Sequence, residues 1–379
     1  MYRGAMLRIG FDGRYINDRY HGIGRVAYSL LDAMLELDGD HRFVLFVHPG
    51  YSNSRFDLDR LVTHERVEVV PLRLPLLVPI EQAAWPLLVR RHRLDLVHSP
   101  YVVGPLAVSV PVVVTVHDLI LERHPEYTPQ RLLRLAYRAM ARLSLRRASA
   151  IVAVSQATRA DVERWYPATR GRTHVIPNGV SGLFSRVEDP GRLETVRARY
   201  GLPPSFVLAV GAGRPHKNLE VLVDAARHFG DDGPRVVLAS APDARFPDAV
   251  GDRIARLGLE DRVVRIRDVR EDDMAALYSL ADAFVFPSFI EGFGLPMLEA
   301  MAAGTPVIAA DASVMPEVGG DAVLLFDPLD PAALAAQLRR LAGDPDLRDL
   351  LRERGIGRAA EFSWERAARA TVELYRALT

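Results

Sequence analysis

Two strings hold the residues whose types and spacing could do chemistry. In residues 281–317, ADAFVFPSFIEGFGLPMLEAMAAGTPVIAADASVMPE, two carboxylates, Glu291 and Glu299, stand eight positions apart. In residues 211–219, GAGRPHKNL, a glycine loop carries Arg214 and Lys217, and Lys217 is the only lysine among 48 basic residues. A guanidinium offers phosphate oxygens a planar fork and an ammonium a compact point charge. The second string therefore reads as an anion site. Two acids eight apart mean little alone, since exposed carboxylates are common and usually solvated.

The elements that must position these residues can be read around them. Residues 283–286 are an apolar run of strand type stopped by Pro287, and residues 288–294 form a loop. Residues 295–303 are helical in pattern, with Pro296 in the first turn and Gly304 as the stop, and residues 305–310 form the next buried strand. Glu291 then lies at a loop-to-helix junction and Glu299 two turns on. Strand, loop and helix in this order put both near the carboxyl edge of a parallel sheet, where α/β proteins bind ligands. Free peptide N–H groups at such a helix start can meet an anion or sugar hydroxyls. Residues 206–210 repeat the arrangement as strand, glycine loop and helix ahead of Arg214 and Lys217.

The string EGFGLPMLEAMAAGTPVIA, with its Glu-x7-Glu spacing, resembles the signature of the large retaining glycosyltransferase family 4. GAGRPHKNL is similar to the Arg…Lys pair with which that family holds a nucleotide diphosphate. The resemblance implies an α/β protein of the GT-B fold, two Rossmann-like domains facing across a cleft, with the donor bound mainly by the second. It implies transfer of a sugar from a nucleotide sugar to a hydroxyl with retention, by a front-face route in which the leaving phosphate helps deprotonate the acceptor. Glu291 and the loop amides of Gly292, Phe293, Gly294 and Leu295 would hold sugar hydroxyls, and Glu299 the ribose hydroxyls. Arg214 and Lys217 would neutralise the diphosphate without a metal, and the backbone near Val269 would edge the base.

In the first half, residues 7–12 read as a strand, residues 13–24 as a loop ending His21-Gly22-Ile23-Gly24, and residues 25–37 as a helix with Val26, Leu30 and Met34 on one face. A glycine pair opening a helix after the first strand suits a phosphate, because missing side chains let the backbone approach. A plain tight turn is the alternative. The family resemblance carries Gly22 and Gly24 over as donor-binding. Residues 112–116 read as a strand that delivers His117 and Asp118. A histidine there is often structural, but TVHDLI with Pro125 looks most like mannosyltransferase-type members. That likeness implies that His117 contacts the donor sugar, with Asp118 and Tyr101 on the acceptor side. The string VIPNGV at residues 175–180 resembles the end of the family's first domain.

Residues 128–148 read as a helix with arginines at 131, 134, 138, 142 and 146. Such a basic stripe fits an anionic membrane surface, but the plainer expectation is a surface helix that packs Leu132, Leu135 and Leu143 on the core. Residues 72–91 are apolar and broken by prolines, read as a core-covering loop and helix, with a partly exposed apolar surface on the acceptor side as the alternative. The expected domains are residues 1–185 and 186–361, with residues 362–379 a helix crossing back to the first.

At 379 residues, two domains are the natural expectation. Charge is balanced overall, but residues 1–185 hold 24 arginines against 17 acids, a net of +7, and the remainder carries −7. A basic half suits phosphate-bearing partners or an anionic membrane; no basic block is interleaved with aromatics as nucleic-acid binding would require. No run of eighteen apolar residues spans a bilayer, the start lacks a signal-peptide core, and zero cysteines exclude disulfides and thiolate metal sites. A cytoplasmic address, with contact at the inner face of the membrane as an extension, is expected.

GDP-mannose is the expected donor, a UDP- or other nucleotide sugar the alternative, and a glycan or lipid-linked molecule the acceptor. Other classes fare worse. A sugar-phosphate phosphorylase or a nucleotide-sugar epimerase shares the fold, but no motif for epimerisation is evident. A non-catalytic GT-B scaffold predicts decay of the four charged positions, which are all present. A dinucleotide dehydrogenase lacks its third glycine after Gly22-Ile23-Gly24.

Overall fold

The computed structural model of the protein describes residues 6–18, 21–76, 79–127, 131–230, 233–240 and 243–379. The chain divides into two compact units, one of residues Met1–Gly179 with Trp364–Thr379 and one of residues Val180–Ser363. The sequence reading set that division at residue 185 and the return at residue 362.

Unit 1 is built on seven parallel strands: β1 (Arg8–Asp12), β2 (Arg42–Val47), β3 (Val67–Pro71), β4 (Leu96–Ser99), β5 (Val112–Val116), β6 (Ala150–Ala153) and β7 (Thr173–Val175). They lie in the order β3-β2-β1-β4-β5-β6-β7. A sheet of this kind is covered on both faces, and the alternation of side chains along β2 shows how. Phe43 and Leu45 join the core that contains Leu30 and Met34 of α1 (His21–Glu36). Val44 and Phe46 join the opposite core, with Trp85 and Val89 of α2 (Pro79–Arg91).

Over β5 and β6 on that second face lies α3 (Arg131–Arg147). Residues 128–130, where the sequence reading opens this helix, lie outside the described residues. Here the sequence reading needs correction. The helix sets Ala141, Ser144 and Leu145 against the sheet, while Leu132, Leu135 and Leu143 are 83%, 52% and 50% exposed. Small residues let the helix sit close to the strands, so the leucine stripe points to solvent. Among the described residues no helix is long and apolar enough to cross a membrane.

Unit 2 repeats the plan with six parallel strands: β8 (Phe206–Val210), β9 (Arg235–Ala239), β10 (Val263–Ile266), β11 (Ala283–Phe286), β12 (Val307–Ala310) and β13 (Val323–Phe326). Their order is β10-β9-β8-β11-β12-β13. Three of its helices matter for the site: α4 (Leu219–Ala226), α5 (Glu271–Leu280) and α6 (Leu295–Ala302). The final helix, α7 (Trp364–Leu378), packs Ala368, Val372 and Tyr375 into the α1 side of the unit 1 core. Buried His98 of β4 fastens it there: Nδ1 lies 2.5 Å from the Tyr375 hydroxyl and Nε2 2.8 Å from Thr115 Oγ1.

Candidate active site

Strand order reverses between β8 and β11 in unit 2, so the loops leaving these neighbours diverge at the carboxyl edge and leave room for a ligand. The loop after β8 ends in a 3-10 turn, Pro215–Lys217, and Asn218 then takes a left-handed conformation with φ +51°. Asparagine tolerates that region better than most residues. Its Nδ2 donates to the carbonyls of Pro287 at 3.1 Å and Pro328 at 2.9 Å. One buried side chain thus ties together the loops after β8, β11 and β13. The loop after β11 turns into α6 at Gly294, φ +87°, where a Cβ would lie 3.2 Å from the Phe286 ring.

These two loops bring Lys217 and Glu291 together. Lys217 Nζ lies 2.6 Å from Glu291 Oε1 and 5.9 Å from the centre of the Phe286 ring. The two side chains are only 18% and 13% exposed, which strengthens their attraction relative to a surface pair. A serine braces the acid from behind: Ser313 Oγ donates to the Glu291 carbonyl at 2.9 Å and accepts from the Glu291 N–H at 3.4 Å.

Arg214 is held by a different acid. Its Nε donates to Asp243 Oδ2 at 2.9 Å, and Arg245 donates to the same carboxylate at 2.5 and 2.8 Å. Hydrogen bonds from Arg245, and then from Arg214, hold the Asp243 carboxyl well below the usual range. Among the described residues neither Nη of Arg214 has a hydrogen-bond partner. The guanidinium is clamped at one edge and open at the other, a geometry suited to phosphate oxygens.

Glu299 sits on α6 at 5% exposure, and its Oε2 accepts a 3.0 Å bond from the buried Tyr278 hydroxyl of α5. Phe293 is buried edge-on against Phe362, 5.7 Å between ring centres, while Gly292 and Leu295 remain half-buried. Val269 is half-buried in the loop after β10, following Asp268 with φ +52°.

In unit 1 the strand order reverses between β1 and β4. After β1, Arg14 is buried between Asp12, 2.7 Å from its Nη2, and Glu81 of α2, 3.1 Å from its Nη1. The Asp12 and Glu81 charges raise the Arg14 pKa against the opposing effect of burial. Tyr15 rests 5.4 Å from Tyr101, which follows β4. His117 Nε2 lies 2.9 Å from the Pro100 carbonyl, which can only accept, so the proton is on Nε2 and Nδ1 presents a lone pair. Burial holds this imidazole down to about 4, hence neutral. Asp118 is exposed and accepts from the Ile120 N–H at 3.1 Å, which starts a short helical turn.

The glycine pair differs from expectation. The helix starts at His21, so Gly22 and Gly24 lie in its first turn and not before it. Gly22 borders open space, whereas a Cβ on Gly24 would meet the Tyr15 carbonyl at 2.8 Å. Gly24 is thereby required by packing. Ser313, Asn218, Asp243 and Tyr278, absent from the sequence reading, carry much of the geometry; only Asn218, an asparagine ahead of a helical pattern, gave any local signal.

Residues 20–181 match the family described as Glycosyltransferase Family 4, and residues 194–358 the one described as Glycosyl transferases group 1. The chain is 31% identical over 326 residues to O-antigen chain mannosyltransferase B of Escherichia coli, covering 83% of this chain and 84% of that protein. The chain belongs to glycosyltransferase family 4. This glycosyltransferase is also 34% identical over 242 residues to a D-inositol 3-phosphate glycosyltransferase of Streptomyces bingchenggensis, covering 60% of this chain and 52% of that one. Among solved structures, its fold is similar to sucrose-phosphate synthase from Thermosynechococcus elongatus, with TM-score 0.76, 23% identity and 98% and 99% of the two chains covered. It is similar as well to Anabaena Alr3699/HepE in complex with UDP-glucose, with TM-score 0.74, 23% identity, and 98% and 100% covered. The two parallel-sheet units are the Rossmann-like domains of the GT-B fold.

Proposed function

We propose that this glycosyltransferase transfers a hexosyl group with retention, mannose from GDP-mannose in the first instance, to a hydroxyl of a glycan or lipid-linked acceptor. The observation that carries the reading is the Lys217–Glu291 pair beside the half-open Arg214 fork at the switch point of unit 2. In this reading Arg214 and Lys217 take the diphosphate and stabilise its growing charge as the glycosidic bond breaks, the part a metal plays elsewhere. Glu291, relieved of Lys217, receives sugar hydroxyls together with the amides of residues 292–295. Glu299 receives the ribose, and His117, neutral with Nδ1 open, accepts from a sugar hydroxyl. The departing phosphate oxygen takes the acceptor's proton on the same face.

Mannose is favoured by the E. coli O-antigen mannosyltransferase, which this chain matches over most of its length. A UDP-sugar is the second reading, favoured by the fold likeness to a protein solved with UDP-glucose. Thermal-shift titration with GDP, GDP-mannose, UDP and UDP-glucose separates them. A ligand at about a hundred times its Kd adds about 2.7 kcal/mol to stability, so one base should raise Tm selectively. No response to any of the four would remove the reading.

A site on the inner face of the membrane belongs to the same proposal. Helix α3 has six arginines, no acid and three outward leucines, and α2 on the same face of the sheet exposes Ile80 and Leu87 at 65% and 69%. Apolar side chains rimmed by arginine suit an anionic lipid surface. Co-sedimentation with vesicles containing phosphatidylglycerol is expected at low salt, weakened by Leu132→Ser with Leu135→Ser. No binding even at low salt would limit the proposal to soluble acceptors.

A further inference from the structure

Ser313 occupies backbone space that serine normally avoids. Its φ of +53° lies in the left-handed region, where a Cβ crowds the neighbouring carbonyl and glycine is the default residue. The side chain is exposed, so no core packing compensates. Nor does its hydroxyl cap the helical turn that follows, Met315–Gly319, whose N-cap residue Val314 has no side-chain bond. What the hydroxyl does is span one peptide unit on each side of a single residue, donating to the Glu291 carbonyl and accepting from the Glu291 N–H. That residue carries the carboxylate 2.6 Å from Lys217. Backbone strain held at an exposed loop, with its one polar group spent on a neighbouring acid, points to a functional constraint.

We propose that Ser313 is a positioning residue for sugar transfer, a strained brace that sets the place of the Glu291 carboxylate; this rests on the reading of Glu291 given above. The loop after β12 thereby controls the geometry of the loop after β11. Arg214 and Glu299 are held by Asp243 and Tyr278 rather than by the brace, and Lys217 meets it through Glu291. Loss of the hydroxyl therefore slows turnover without weakening nucleoside diphosphate binding, since a displaced Glu291 can only release Lys217.

Two variants separate positioning from folding. Ser313→Gly removes the brace and also the backbone strain. It should melt at or above the wild-type temperature, bind GDP or UDP at least as tightly as wild type, and release diphosphate from its nucleotide sugar about tenfold more slowly, with the loss in kcat. Ser313→Thr keeps the hydroxyl but adds a branch at a strained position. It should melt lower and keep a rate within about twofold of wild type at a permissive temperature. A glycine variant as fast as wild type, or rates that follow melting temperature through the series, would overturn the brace. Diphosphate binding without turnover in the wild type would overturn the assignment of Glu291, and the brace with it. A wild type that binds no nucleotide would instead remove the donor reading itself.

Discussion

Lys217 Nζ lies 2.6 Å from Glu291 Oε1, joining loops whose residues are 74 apart in sequence. The cation assigned to the diphosphate and the acid assigned to the sugar thus neutralise one another, and a donor must exchange that contact for two of its own. Their substitutions should differ in kind. Lys217→Ala should abolish the thermal response to diphosphate and lower kcat/KM by about 100-fold, on the scale of one lost transition-state donor. Glu291→Gln should lower kcat by a similar factor yet bind diphosphate as tightly as wild type or tighter, since it releases the ammonium. Calorimetric Kd values beside rates decide this; a Glu291→Gln protein that no longer binds diphosphate would contradict the division of roles.

Arg214 is clamped through Nε, and among the described residues neither Nη has a hydrogen-bond partner. Lysine can fill the charge but not the fork, so Arg214→Lys should raise the diphosphate Kd about tenfold, about 1.4 kcal/mol. An unchanged Kd would mean that this guanidinium serves Asp243 alone.

The lateral bond from Tyr278 to Glu299 crosses between two buried side chains. Tyr278→Phe keeps the ring and removes the donor, so unfolding in urea should show a loss of roughly 1–3 kcal/mol. Nucleotide affinity should fall with it if Glu299 is held for the ribose. Stability lost with affinity intact would make Glu299 a core residue.

Acid should weaken unit 1. Burial holds His98 down to about 3 and His117 to about 4, so both are neutral in the fold. The unfolded chain, with histidines near 6.5, takes up protons first as pH falls. Stability is therefore complete above about pH 6.5 and declines below it, to about pH 4 for His117 and about pH 3 for His98, by up to roughly 1.4 kcal/mol per pH unit for each. Urea midpoints at pH 7, 6 and 5 test the slope, and His98→Gln should flatten it.

Chelation should be silent. With Arg214 and Lys217 assigned to the diphosphate, turnover should be unchanged in excess EDTA; loss restored by manganese would refute this.

Strands and loops around Glu291 and Lys217 were legible because a buried parallel strand leaves a continuous apolar run and a following turn leaves glycine and proline. That these two residues touch was not, since it depends on β8 and β11 being neighbours while β9 and β10 intervene in sequence. Ser313 and Asp243 gave no signal, because each acts on a residue that only the fold brings near. The leucines of α3 were misread for another reason. Periodicity shows that a helix has an apolar stripe, but on α3 a second stripe, the small residues Ala141 and Ser144 with Leu145, faces the sheet instead.

The replacement of lysine by arginine everywhere except position 217 has a practical consequence. Lys217 is the one side-chain primary amine in the protein, and it is part-buried within an ion pair. Amine-selective acylating reagents therefore have a single side-chain amine to form an amide with, and it lies where the diphosphate is proposed to bind. Its rate of modification would follow occupancy of that position directly, with no acceptor, no turnover and no knowledge of which sugar is carried.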